Sequence, residues 1–243
     1  MEQSRKKFLK QFLVSAASVP LIIEACKKDT GSGGSGSTGT GGSCTVTPEE
    51  VEGPYPYPGG ELSNPLNRTD VTGGQTGVPL TINFSVVNTN NNCAAISNAR
   101  VDIWHCNKDG YYSGYSGQNG GVLGTQNYAG QTWLRGYQLS DASGKAAFNT
   151  IFPGWYQGRA THIHFEVYVN NVLKKTGQIT LPESISDTVH QSSLYAAHGV
   201  NTTRNSNDGI FNNSAADLAN ETVALAGSVA AGYTGNYTIG IAL

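Results

Sequence analysis

Ala160-Thr161-His162-Ile163-His164-Phe165-Glu166-Val167-Tyr168-Val169 alternates without a break, and that alternation decides the fold. Successive side chains of a strand point to opposite faces. Ile163, Phe165, Val167 and Val169 therefore share one face, and His162, His164, Glu166 and Tyr168 share the other. The same period runs outward from this stretch. Leu80, Ile82, Phe84 and Val86 alternate with polar or small residues, as do Ala99, Val101, Ile103 and His105, and both runs are bounded by Asn or Gly clusters. Trp133 to Leu139 and Lys145 to Thr150 flank Ser140-Asp141-Ala142-Ser143-Gly144, whose residues suit a hairpin turn. Val172 to Leu181 and Tyr233 to Leu243 read as further strands, and Glu183 to His190, Ser193 to His198 and Ala215 to Ala224 as short helical turns. Regularly spaced strands without a long amphipathic helix predict an all-β fold, an antiparallel β-sandwich with short helical turns in its loops, over residues 44–243.

Composition narrows the function. The 243 residues include 31 Gly, 12 Tyr and 5 His, and only 13% are charged. Lys and Arg number 15 against 17 Asp and Glu, a net charge of -2, and no basic block lies beyond the first ten residues. The electrostatic footprint of a nucleic-acid binder is missing. Many tyrosines beside few histidines leave few ways to build a metal site.

Residues 1–25 read as an export signal, with Arg5, Lys6, Lys7 and Lys10 before the apolar run Phe12 to Ile23. That run is too short to span a bilayer as a helix. Ile23-Glu24-Ala25-Cys26 resembles a bacterial lipobox, in which Cys26 would be lipidated and become the new N-terminus; a plain cleaved signal is the alternative. Ser4 to Lys10 resembles the twin-arginine export motif with Lys6 in place of the second Arg, ordinary secretion being the other route. The expected location is the bacterial cell envelope, with membrane contact only through the lipid anchor. Residues 26–43 form a tether, because Asp29 to Ser43 contains only Asp, Thr, Gly and Ser and buries nothing that would offset its ordering entropy. Gly31, Gly33 and Gly36 match a dinucleotide-binding spacing but lack the flanking strand and helix. Cys44, Cys93 and Cys106 fit no zinc spacing, and in an oxidising compartment a Cys44–Cys93 disulfide is expected, with three free thiols as the alternative.

His162 and His164 share a strand face with Cα atoms roughly 6.5–7 Å apart, close enough to converge on one ion. A pair of surface polar residues has the same spacing. Thr150-Ile151-Phe152-Pro153-Gly154-Trp155-Tyr156 precedes them, and its Pro-Gly turn would bring Tyr156 to the mouth of the same strand, with Arg159 three residues before His162.

This stretch resembles the intradiol ring-cleavage dioxygenases, whose signature combines Thr-Ile-x-Pro-Gly-x-Tyr, an Arg three before the first His, and a His-x-His-Phe strand. Thr47-Pro48-Glu49-Glu50-Val51-Glu52-Gly53-Pro54-Tyr55 is similar to the family's opening segment, Ala99 to Tyr112 to its Asp-Val-Trp strand and following Gly-x-Tyr, and Leu139 to Gly144 to its hairpin. The resemblance implies non-haem Fe(III) held by Tyr112, Tyr156, His162 and His164, with Tyr111 and Tyr115 as neighbouring candidates for the first position. Phenolates suit a hard trivalent ion. It also implies that Arg159 sits beside a bound catechol, that Gln178 steadies it, that Tyr156 yields to the substrate, and that O2 cleaves the ring to a cis,cis-muconate-type diacid. His105 reads as a satisfied structural residue, and His190 and His198 as solvent-facing. Only five residues separate Tyr156 from His162, fewer than in the catabolic members, and their helical dimerisation segment is replaced by the tether. A zinc-binding sandwich and a surface-anchored binding module without turnover are the competing readings.

Overall fold

The computed structural model describes residues 45–243; the export signal, Cys26, the tether and Cys44 lie outside the described residues. Two sheets face each other. The first has β1 (Pro79–Asn88) at its centre, paired with β2 (Ala94–Ala95), β5 (Lys145–Ile151) and β9 (Gly232–Ile241), and β9 also pairs with β8 (Ala224–Ser228). The second has the order β4 (Arg135–Leu139), β3 (Arg100–Trp104), β6 (His162–Val169), β7 (Val172–Thr180). Every pair is antiparallel except β1 with β9, which run parallel. The antiparallel sandwich expected from the sequence is found, with this one parallel pair inside it. A parallel neighbour needs a long crossover, and the rest of the sandwich supplies it.

The core follows from the alternation. Leu80, Ile82, Phe84 and Val86 of β1 pack against Val101, Ile103, Ile163, Phe165, Val167 and Ile179 of the second sheet. A Cβ at Gly177 would overlap the Phe165 ring, so a glycine there lets β7 lie flat on that side chain. On β6, however, the face carrying His162, His164, Glu166 and Tyr168 is buried as well. The segment before residue 65 covers it: Glu50 donates its backbone N–H to the Thr176 carbonyl, Lys175 donates to the Thr47 carbonyl at 2.8 Å, and Gln178 to the Val51 carbonyl at 2.8 Å.

The helical segments also resolve. Glu183–His190 is α1 and Ala215–Glu221 is α2, but β8 begins at Ala224, where helix was expected, and Ser193 to His198 is a run of turns. His190 is buried, contrary to the expectation of exposure: its Nε2 lies 3.2 Å from the Pro153 carbonyl, its ring meets Phe152 and Tyr195, and burial lowers its pKa to about 4. His198 is half-buried and stacks on Trp155 with ring centres 3.8 Å apart. Cys93 is disulfide-bonded, which removes the reading of three free thiols, and Cys106 is a buried free thiol whose pKa burial raises to about 12.

Candidate metal centre

The site grows from the start of β6. His162 Nδ1 lies 2.6 Å from the Ala160 carbonyl, which can only accept, so this nitrogen carries the proton and Nε2 presents a lone pair. Strand register then aligns Trp104, His164 and Gln178 across β3, β6 and β7. The Trp104 indole stacks on the His164 imidazole with centres 5.0 Å apart and planes 6° apart, which fixes the ring's orientation.

Tyr112 comes from the loop after β3. Its backbone is clamped by the Gln118 amide, which accepts from Tyr112 N at 2.8 Å and donates to Tyr112 O at 2.8 Å. The phenolic oxygen stands 3.2 Å from His162 Nε2 and 3.1 Å from His164 Nε2, and the two Nε2 atoms are 3.0 Å apart. Tyr156, delivered by the Pro153-Gly154 turn, puts its oxygen 3.5 Å from His162 Nε2. Tyr111 points away, donating to the Gly124 carbonyl at 2.7 Å and packing with Trp133, Leu134 and Ile151. Tyr115 donates to the Pro56 carbonyl.

Burial raises the Tyr112 pKa well above its ordinary value and Tyr156 to about 12, and it drives His162 and His164 well below theirs. The imidazoles are thus neutral and ready to donate lone pairs, while the phenols hold protons until a cation displaces them. Donor atoms about 2.0–2.1 Å from a shared ion lie roughly 3–3.5 Å from one another at angles near 90–110°. The distances among Tyr112, His162 and His164, and from Tyr156 to His162, meet that spacing. Among the described residues no group of three His, Cys, Asp or Glu side chains is placed to hold an ion, so the phenols decide the site's character. Two phenols and two imidazoles fit a hard cation such as ferric iron.

Arg159 borders the donors. Its Nη1 faces the Tyr156 oxygen at 3.4 Å, Nη2 donates to Gln178 Oε1 at 2.6 Å, and Nε donates to Asp208 at 2.9 Å. Burial works against its charge, but Tyr156 and Asp208 more than compensate and raise its pKa. Three contributors were not singled out from sequence. Tyr55 stacks on Tyr112 with centres 4.7 Å apart, Asp208 is fully buried, and the Phe211 ring lies 5.9 Å from the Arg159 guanidinium. Only Tyr55 carried a signal, through the Gly53-Pro54-Tyr55 motif. His105 stands apart with both ring nitrogens partnered, by the Cys106 carbonyl at 2.8 Å and Thr150 Oγ1 at 2.7 Å.

A two-sheet sandwich with these donors beside a largely buried arginine has the architecture of a ring-cleaving dioxygenase, and the family model described as "Dioxygenase" matches residues 51–221. The chain belongs to the intradiol ring-cleavage dioxygenase family, which uses non-haem iron. It is 26% identical over 153 residues to catechol 1,2-dioxygenase 1 of Acinetobacter lwoffii, covering 56% of this chain and 46% of that protein. The chain therefore spans about half the length of the curated relative it matches. An intradiol ring-cleavage dioxygenase from Tetranychus urticae superposes with a TM-score of 0.70 at 27% identity, covering 82% of this chain and 95% of that one. The 3-chlorocatechol 1,2-dioxygenase of Rhodococcus opacus 1CP shares the fold, with a TM-score of 0.53 at 16% identity over 81% of this chain and 72% of that one.

Proposed function

We propose that this protein is a non-haem Fe(III) intradiol dioxygenase that cleaves a catechol-type aromatic diol with O2, placing both oxygen atoms in a cis,cis-muconate-type diacid. The observation that carries the reading is the convergence of Tyr112, Tyr156, His162 and His164, with donor atoms 3.0–3.5 Å apart, beside Arg159. When bound, ferric iron supplies Lewis acidity that strips the diol of its protons and draws electron density from the ring, opening the ring to O2.

The chain's own residues divide the remaining work. Tyr112 is fully buried beneath Tyr55 and stays as a permanent donor. Tyr156 is half-buried at the mouth, so it is the phenol free to swing aside, and its raised pKa suits it to keep a proton taken from the incoming diol. Arg159 Nη1 then faces the vacated space, where a fixed positive charge stabilises negative charge developing on the ring. Gln178 holds Nη2, and Trp104 and Phe211 keep water from the histidines. The leading residues 1–43 make this an exported enzyme anchored at Cys26, which palmitate labelling of the expressing cell would test.

Metal analysis with a visible spectrum tests the central claim: iron with a phenolate charge-transfer band is expected, and colourless, iron-free protein from iron-replete cells would sink it. Oxygen uptake with catechol, protocatechuate and hydroxyquinol, followed by muconate absorbance, identifies the substrate. No uptake with any of them would favour a binding module.

A further inference from the structure

Asp208 reaches the site from a loop distant in sequence, just after the short 3-10 turn Asn205–Asn207. Its carboxylate is fully buried and fully used. Oδ2 accepts from Arg159 Nε at 2.9 Å and from the Ala160 amide at 2.5 Å, while Oδ1 accepts from the same Nε at 3.2 Å and from the Ile210 amide at 2.8 Å. The same loop sends Asn201 Nδ2 to the Arg159 carbonyl at 2.9 Å and sets Phe211 against the guanidinium.

The link between Tyr156 and His162 needs this support. It is short, its Gln157 and Gly158 are exposed, and Gly158 takes φ +86°, so nothing inside it locks a long arginine side chain. With Nε on Asp208 and Nη2 on Gln178, only Nη1 is left to face the Tyr156 oxygen. Asp208 also grips the amide of Ala160, the residue whose carbonyl sets the His162 tautomer. A carboxylate behind the guanidinium further offsets the repulsion between Arg159 and a bound cation. We propose that Asp208 is the positioning residue of the site, aiming Arg159 Nη1 into the substrate space. The inference rests on the dioxygenase reading and extends it to a loop outside the family's motif stretch.

The test is a double-mutant cycle on the iron-loaded full chain, combining Asp208→Asn with Arg159→Ala. Catechol affinity is read by anaerobic titration of the visible band, where no turnover occurs, and kcat and KM by oxygen uptake. Asp208→Asn is expected to keep iron and the resting band yet lose about ten-fold or more in catechol affinity and in kcat/KM. In the Arg159→Ala background the same change should cost less than about two-fold, because a residue acting through Arg159 has nothing left to aim. Equal losses in both backgrounds, or wild-type values in Asp208→Asn, overturn the proposal. Should Asp208→Asn fail to fold, Asp208→Glu retains the charge but displaces it by one methylene; the same loss of affinity is expected, and wild-type affinity overturns the proposal. Wild-type protein that binds no catechol overturns the dioxygenase reading and this proposal together, whereas wild-type binding with an indifferent Asp208 variant overturns this proposal alone.

Discussion

The backbone of Gly53 lies against the edge of the His164 imidazole: a Cβ at position 53 would sit 2.8 Å from Cε1, and the residue adopts φ +80°. Only glycine satisfies both conditions. With Trp104 stacked on its face, His164 has no freedom to turn aside. Gly53→Ala should therefore displace the ring, cost on the order of 1–3 kcal/mol through backbone strain alone, and abolish iron retention. Thermal unfolding with metal analysis checks it; a variant that retains iron and wild-type stability would refute the wedge.

Adjacent tyrosines should behave in opposite ways. Tyr112→Phe removes a donor within reach of both histidines and is expected to lose the charge-transfer band and most bound iron. Tyr111→Phe forfeits the bonds to Gly124 O and Leu123 N, about 1–2 kcal/mol of stability, with the spectrum unchanged. Visible spectra and denaturant melts of the pair separate the two roles.

Glu61 makes stability fall as pH rises. Burial raises its pKa to about 8, against 4.5 for an ordinary Glu, and its Oε2 has no partner. The folded state therefore holds a proton that the unfolded chain has released, so the stability this proton contributes is full below about pH 4.5 and gone above about pH 8. The slope is at most about 1.4 kcal/mol per pH unit. Glu61→Gln should flatten that part of the profile and melt higher than wild type at pH 8, as denaturant unfolding across the range would show.

Removing the disulfide at Cys93 should cost about 2–4 kcal/mol. Cys93→Ser should unfold earlier than wild type, and wild type in strong reductant should approach the variant. Peptide mapping without reduction is expected to recover Cys93 joined to Cys44. A Cys93 joined to any other residue would refute the expected pairing.

Sequence reading succeeded where one residue's neighbours carried the information. Period-two alternation located β1, β3 and β6, the turn-rich Ser140–Gly144 segment located β4 and β5 on either side of it, β7 and β9 fell in stretches read as strands, and the residues of α1 match those expected. It failed where they did not. Ala94–Ala95 is too short to show a period, and Ala224–Ser228 is built, apart from Leu225, of small exposed residues. Strand direction leaves no trace in alternation, so the parallel β1–β9 pair was illegible. At the site, Tyr112, Tyr156, His162, His164, Arg159 and Gln178 lie close together in the structure. Asp208, Asn201 and Phe211 arrive from a loop whose contacts obey no local period, and His190 was misjudged because polar flanks concealed a buried ring.

The parallel pairing of β1 with β9 bears on how the protein is made. The first long strand of the domain pairs with β5 and β2 along one edge, but its other edge is covered only by residues 232–241, so the ladder from Leu80–Tyr233 to Asn88–Ile241 cannot form while those residues are still inside the ribosome. Up to that moment the nascent chain lacks the β1–β9 ladder in the middle of its first sheet. The final strand of the sandwich is thus also its closing stitch.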